Sequence, residues 1–324
     1  MSKIRLYACG GAATNICSHF VKYAGKTNPG FSEIDCVFID TSRSNLNPSI
    51  PKEMVYIVSD TLDGSGKLRS SNYEVLSEKS KEILLQHKAS DVNLVVHSTS
   101  GGSGSTIGAI IVSELLARGE TVIVLMVGST GSRIETENTV KTLKSYEVIS
   151  RKREMPVIAA YRENSIDKPR GSVDAEMQTF IVMLAAIFSG NNRELDMSDL
   201  RNFVNYNKVT SFTPKLSFLD FFSKEITLGK GETAISVVTL VDEKTPSDIS
   251  IPVEYQAVGF MPDITRDNVS VELPLHVCVI AGHYNGVVER LDKKLASYAE
   301  ARNVVVEKSI ASRDEQSTDD GLVL

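Results

Sequence analysis

Six small residues in a row, Ser100-Gly101-Gly102-Ser103-Gly104-Ser105, separate an apolar run at residues 92–96 from a stretch with Ile107, Ile110, Ile111 and Leu115 on one helical face. That pattern predicts a strand, a glycine loop and a helix. Glycines let backbone N–H groups turn inward, and a helix N-terminus adds the positive end of a dipole, so such a loop can cradle phosphate oxygens. No lysine follows the glycines, so it is not a Walker A loop. A second glycine turn, Cys9-Gly10-Gly11-Ala12-Ala13-Thr14-Asn15, follows an apolar run at residues 4–8. This turn could by itself open a dinucleotide fold, with Asp40 at the end of the second strand as the acid that meets the ribose. A nicotinamide-dependent oxidoreductase is therefore one reading. Two phosphate-type loops at two strand ends fit a nucleoside triphosphate better than NAD.

Carboxylates supply the second kind of chemistry. In Glu194-Leu195-Asp196-Met197-Ser198-Asp199, the i, i+3 spacing puts Asp196 and Asp199 on one face if a helix starts there. The same pair makes good capping chemistry, one residue before the helix and one in its first turn, and one residue can do both. His97 follows the strand before the glycine loop and reads as a structural histidine. No Ser-His-Asp or Cys-His constellation can be assembled from His87, His97, His276 and His283.

The elements that must hold these residues alternate. Strands are predicted at residues 4–8, 34–39, 55–58, 92–96, 121–127 and 156–161, with helical spacing at 15–23, 76–87, 107–115 and 137–148. This is an α/β pattern with a parallel sheet covered on both faces, and ligands on such sheets sit beyond the strands' carboxyl ends. Residues 173–189 predict a long helix whose segment 180–188 is apolar all round, hence a buried central rod. Strand-like runs at 211–222, 234–240, 253–260 and 273–281 and a helix at 284–302 then predict a smaller α+β unit. The expected organisation is a nucleotide-binding domain over 1–171, the central helix over 172–190, a C-terminal domain over 191–302, and an extension with an acidic tail over 303–324.

The 324-residue chain is 42% apolar and 23% charged, with a formal net charge of −6, which argues against a nucleic-acid binder working through a broad basic surface. Cys9, Cys17, Cys36 and Cys278 have no zinc spacing and read as buried thiols in a reducing compartment. The first residues lack a signal-peptide pattern and no run has the length of a membrane helix. A cytoplasmic protein with no membrane partner is expected. The basic run Lys141, Lys144, Arg151, Lys152 and Arg153 reads either as a solvated helix end or as a patch that receives a neighbour's acidic tail.

Gly101-Gly102-Ser103-Gly104-Ser105 resembles the signature loop of the tubulin/FtsZ superfamily, Gly-Gly-Gly-Thr-Gly-Ser/Thr-Gly. This chain departs from it at Ser100 and Ser103 and ends it with Thr106. The turn from Gly10 to Asn15 resembles that family's first nucleotide loop, and Asp40-Thr41-Ser42 the loop after its second strand. Glu194-Leu195-Asp196-Met197-Ser198-Asp199 resembles its catalytic loop, Asn-x-Asp-x-x-Asp, with glutamate in place of asparagine. The resemblance implies a GTPase fold that binds GTP or GDP with Mg²⁺. It implies nucleotide contacts from Gly10, Gly11, Ala12, Thr14, Asn15, Asp40, Thr41 and Ser100 through Ser105. It implies ribose contacts from Glu135 and Asn138, and base reading by Asn164 and Asp174. A carboxylate suits guanine, whose N1–H and N2–H₂ are both donors. It further implies that Asp196, Asp199 and Glu194 act on the nucleotide of a neighbouring subunit, so that head-to-tail self-assembly completes the site.

Length and the acidic end, from Asp314 to the terminal Leu322-Val323-Leu324, most resemble the bacteriophage tubulins, whose filaments position phage DNA in the infected cell and whose acidic tail contacts the next subunit. A plasmid-segregation or cell-division homologue is the other reading within the superfamily.

Overall fold

The computed structural model describes residues 2–59, 64–69, 73–262, 264–266 and 269–307. The acidic tail lies outside the described residues. Six strands pair in parallel in the order β3-β2-β1-β4-β5-β6: β1 (Lys3–Cys9), β2 (Glu33–Asp40), β3 (Val55–Ile57), β4 (Val92–Ser98), β5 (Val122–Ser129) and β6 (Val157–Asn164). This is the doubly wound order in which the winding reverses between β1 and β4. Both faces of these strands are apolar because both are covered. Side-chain alternation sends Ile4, Leu6 and Ala8 to one core, and Tyr7 and Cys9 to the other.

The first core is closed by α1 (Gly11–Cys17), α5 (Arg170–Ile187) and α6 (Met197–Val204), the second by α2 (Tyr73–Gln86), α3 (Ser103–Ala117), α4 (Arg133–Arg153) and α7 (His283–Glu307). The all-apolar segment of α5 is buried at Phe180, Ile181, Val182 and every residue from Leu184 to Phe188, which is why it carries no polar face. In α4, the Ser132 side chain caps the first turn, and Arg151, Lys152 and Arg153 occupy the last turn, where cations suit the dipole. The basic run is thus partly helix-end chemistry, with Arg153 also bonded to Ser113 at 3.0 Å. All four cysteines are free and buried.

The strands after α5 join the same sheet. β7 (Leu216–Phe222) pairs in parallel with β6, then β12 (Leu275–Ala281), β8 (Thr233–Val241) and β9 (Tyr255–Phe260) extend the sheet to ten strands, with a separate hairpin of β10 (Ile264–Arg266) and β11 (Val269–Val271). β12 is antiparallel to both β7 and β8. The change of texture in the sequence therefore marks a change of strand direction inside one sheet. Helix α7 packs on this junction: Leu291 is fully buried and Val287 nearly so, with Tyr284, Val288 and Leu295 against the same core.

Candidate functional site

The two glycine segments follow β1 and β4, the strands that flank the reversal point of the sheet. There the helices that follow, α1 and α3, go to opposite faces of the sheet, and a crevice forms beyond the strand ends. They touch each other. A Cβ on Gly104 would lie 2.6 Å from the Cys9 carbonyl oxygen, and one on Gly10 would lie 3.0 Å from the Gly104 Cα. Gly10 also has φ +82, a left-handed conformation that glycine adopts without strain. The Ser105 hydroxyl donates to the carbonyls of Gly101 and Gly102 at 2.7 and 3.0 Å, and Thr106 donates to Gly102 at 3.1 Å. Nearby carbonyl lone pairs are thereby engaged, while the first turn of α3 has no side-chain cap. Uncapped N–H groups at a helix start favour an anion.

A cavity of ≈ 370 Å³ opens over these loops. It is lined by Gly10, Gly11, Ala12, Ser100, Gly101 and Gly104 from the predicted phosphate set, and by Glu135, Asn164 and Asp174 from the predicted ribose and base set. Asn164 ends β6, Asp174 lies early in α5 and Glu135 in the first turn of α4, so three separate elements converge. The buried Asn164 Oδ1 has no hydrogen-bond partner, an acceptor in want of a donor. Burial raises the Asp174 carboxyl above its ordinary range, against the nearby Arg170 guanidinium at 3.7 Å, which lowers it.

Other predicted residues are turned to internal work. The Thr14 hydroxyl donates to Gly10 at 3.2 Å, and Asn15 is exposed beside the cavity rather than lining it. Asp40 is buried. Its carboxylate accepts from the N–H groups of Thr41 and Ser42 at 2.7 and 3.1 Å and from the Asn45 amide at 3.0 Å, shaping its own loop. The Thr41 hydroxyl donates to Ser103 at 2.8 Å, tying that loop to the start of α3. Gly102 lies beneath residues 65–68. Asn138 donates to the carbonyls of Lys67 and Ser100. Asn45, Lys67, Ser98, Ser129 and Arg170 line the cavity without having been singled out in the sequence. The run Gly64-Ser65-Gly66-Lys67 was a visible signal, a glycine turn followed by a cation.

The acidic segment sits elsewhere. Asp196 caps α6, its Oδ1 accepting from Ser198 and Asp199 N–H at 2.7 and 3.0 Å, while Asp199 Oδ2 accepts from the Asp196 N–H at 3.2 Å. This reciprocal capping box fixes both carboxylates. Tyr255 donates to Asp199 Oδ1 at 3.1 Å, and Arg193 exchanges two backbone bonds with Phe260. Helix α6 therefore packs on β8 and β9, at the opposite edge of the sheet from β3. Glu194 is exposed, with a left-handed φ of 71. None of the three carboxylates lines the cavity.

A larger groove, ≈ 1200 Å³, runs between α2, α3 and α4 and contains none of the loop glycines. Its rim carries Arg69, Lys141, Lys144, Lys152 and Arg153. Among the described residues no group of three or more His, Cys, Asp or Glu could hold a metal ion.

No family model matches the chain. A phage tubulin-like protein of Pseudomonas phage phiKZ is 32% identical over 221 residues, which span 64% of this chain and 65% of that protein. A phage tubulin-like protein of Pseudomonas phage PhiPA3 is 27% identical over the full length of both. Among solved structures, a protofilament of TubZ from bacteriophage PhiKZ superposes with a TM-score of 0.79 at 27% identity, covering both chains in full. The phage tubulin PhuZ with GDP shares the fold at a TM-score of 0.77 and 22% identity, over 99% of each chain.

Proposed function

Because the chain belongs to the tubulin/FtsZ superfamily and has phage tubulin-like proteins as relatives, we propose that it assembles head to tail into filaments and hydrolyses GTP where two subunits meet. One observation carries this reading. The cavity that gathers both glycine loops with Asn164 and Asp174 holds none of Glu194, Asp196 and Asp199, which stand on a separate part of the surface. One subunit thus offers a nucleotide site, and a different face offers carboxylates held in place by a helix cap. A contact between two different faces is head to tail, and where its rotation closes no ring it gives an open filament.

In the proposed site the phosphates meet backbone N–H groups at Gly11, Gly101 and Gly104 and the start of α3, while the Gly10 N–H is held by the Ile39 carbonyl at 2.9 Å. Asp174 accepts from guanine N1–H and N2–H₂, and Asn164 supplies a further partner to the base edge. A Mg²⁺ ion there would neutralise charge on the phosphates, keeping several of its waters as this ion commonly does beside nucleotides. Asp196 and Asp199 of the neighbouring copy orient the attacking water. A free subunit has neither of these two groups at its own cavity and turns over slowly. In an infected cell the filaments would lie in the host cytoplasm and position phage DNA, in keeping with the phage origin of the relatives. The acidic tail docks on a neighbouring subunit, and the basic groove between α2 and α4 has the complementary charge.

Light scattering and phosphate release, followed together across a protein concentration series, test the reading. Scattering is expected above a threshold concentration with GTP, to last longer with a slowly hydrolysed analogue, and to be absent with GDP. Phosphate release should begin at the same threshold. Asp199→Ala should bind GTP and assemble but release phosphate slowly. Loss of GTP binding in that variant would show that Asp199 serves the nucleotide of its own subunit, and refute the split site.

A further inference from the structure

Among the described residues, seven large apolar side chains are exposed. Leu68 precedes α2, Tyr73, Val75 and Leu85 lie on it, and Val148 lies on α4, so five belong to the side of the molecule that carries the basic groove. The other two stand on the two faces of the split site. Val209 follows α6 and is 38% exposed. Ile166, in the turn between β6 and α5, is exposed in full, at 101%. That turn joins Asn164 to Arg170, and both of these line the cavity over the glycine loops, so Ile166 stands at its rim.

A single exposed apolar residue is ordinary. Ile166 differs because the turn that presents it is held on both sides. The Ser165 N–H donates to the Lys168 carbonyl at 2.9 Å, and the Lys168 N–H donates to the Ser165 hydroxyl at 3.0 Å. Lys168 also pairs with Glu176 of α5, and the Pro169 carbonyl accepts from the N–H groups of Ser172 and Val173, which ties the turn to the start of that helix. The backbone is thus fixed, and χ1 of a β-branched residue is stiff. Little freedom is left to lose when such a side chain is covered. Fully in water, Ile166 contributes no burial to its own fold, and the whole transfer free energy of its side chain is available to a contact.

Resting on the head-to-tail reading, we propose that Ile166 is an apolar anchor of the junction, covered by the α6-bearing face of the next copy. The occupant is a second copy because Asp196 and Asp199 can reach the phosphates only if the face that carries them is laid over this rim. Val209 is the exposed apolar residue on that face. The carboxylates bring chemistry to the junction, and Ile166 brings affinity without touching the nucleotide.

Two variants of the full chain test this. All four native cysteines are buried, so in Ile166→Cys a maleimide reads the cover of the new thiol. That thiol should lose most of its labelling rate in filaments formed with a slowly hydrolysed GTP analogue, relative to the same variant with GDP. Ile166→Ser should raise the assembly threshold by about tenfold to a hundredfold, the scale of one isoleucine side chain taken out of water. Phosphate release should begin at the raised threshold. Melting temperature, and GTP affinity below the threshold, should match the unaltered protein, since the side chain is neither packed nor part of the cavity lining. An unchanged threshold would overturn the proposal, as would a thiol that reacts equally fast in filaments and free subunits. Phosphate release that still begins at the original threshold would place Ile166 in a side-by-side contact, and lost GTP affinity would assign it to its own subunit's site; either result overturns the proposal too. Failure of the unaltered protein to assemble with GTP would instead overturn the head-to-tail reading itself.

Discussion

Replacing Gly104 by alanine isolates what the contact between the two glycine loops contributes. Gly104 is the second residue of α3, where helix propensity alone favours alanine by up to ~1 kcal/mol. Sterics point the other way. The new Cβ would stand 2.6 Å from the Cys9 carbonyl oxygen, 3.3 Å from its carbon and 3.4 Å from the Gly10 Cα, all backbone atoms that cannot rotate aside. Ordinary contact needs about 0.8 Å more, so α3 and the β1 end must part by most of that distance. Forcing a methyl into a packed site costs ~1–3 kcal/mol, which after the propensity gain leaves a net loss of up to about 2 kcal/mol and a melting temperature lower by up to about 3 °C for a chain of this length. The effect on ligand should be larger. A phosphate held from both loops at about 2.9 Å would find one set of donors beyond hydrogen-bond range. Losing one such bond lowers GTP affinity by about tenfold to a hundredfold. Calorimetric titration and thermal melting read the two effects. Gly101→Ala is the control, because its Cβ meets nothing within 4 Å. It should melt as the unaltered protein does, and any loss of GTP binding there reports the phosphate rather than the loop. Unchanged melting and unchanged GTP affinity in Gly104→Ala would refute the argument that the loops must touch to form the site.

Three further outcomes follow from geometry described above. Asp196→Ala removes both cap bonds to Ser198 and Asp199 and should cost ~1 kcal/mol in thermal or urea unfolding, whereas Asp199→Ala keeps the Asp196 cap and should cost less, although both should slow phosphate release. His97 is fully buried and neutral, its Nδ1–H donating to Ser98 and its Nε2 accepting from Tyr146 at 2.6 Å, and burial pushes its pKa down to about 4. The unfolded chain takes up that proton first, so the stability His97 provides is complete above about pH 6.5 and is lost as pH falls toward 4, by roughly 3 kcal/mol; His97→Gln should flatten urea midpoints over that window. Gly286 is exposed within α7 and a Cβ there meets nothing, so Gly286→Ala should raise stability by ~0.5–1 kcal/mol, seen as a higher urea midpoint with an unchanged slope.

The glycine loops and their flanking elements were legible because each rests on local pattern. Apolar runs ending at Cys9 and Ser98, followed by glycine and helical spacing, need no distant information. The capping box at Asp196 and Asp199 was legible for the same reason. The continuity of the sheet was not, because whether β7 pairs with β6 depends on a partner more than fifty residues away, and apolar alternation is identical in either case. The hairpin of β10 and β11 has three-residue strands, too short for a period to show. Asp40 and Asn138 resembled ligand residues, yet tertiary packing turned Asp40 into its own loop and Asn138 toward the carbonyls of Lys67 and Ser100.

Helix α7 gives the cavity over the glycine loops a handle. Arg290 grips both oxygens of Glu163 at 2.9 Å each, Tyr298 donates to the Thr130 carbonyl at 2.6 Å, and Thr130 donates back to Glu163 at 3.3 Å. Glu163 is the residue before Asn164 on the cavity wall. Hydrogen bonds thus run from α7 to within one residue of that side chain. Reciprocity sets the size of the return effect: any contact beyond α7 that strengthens nucleotide binding by some factor must itself be strengthened by nucleotide by the same factor. The terminal helix would then act as a gauge of site occupancy that can be read from outside the molecule.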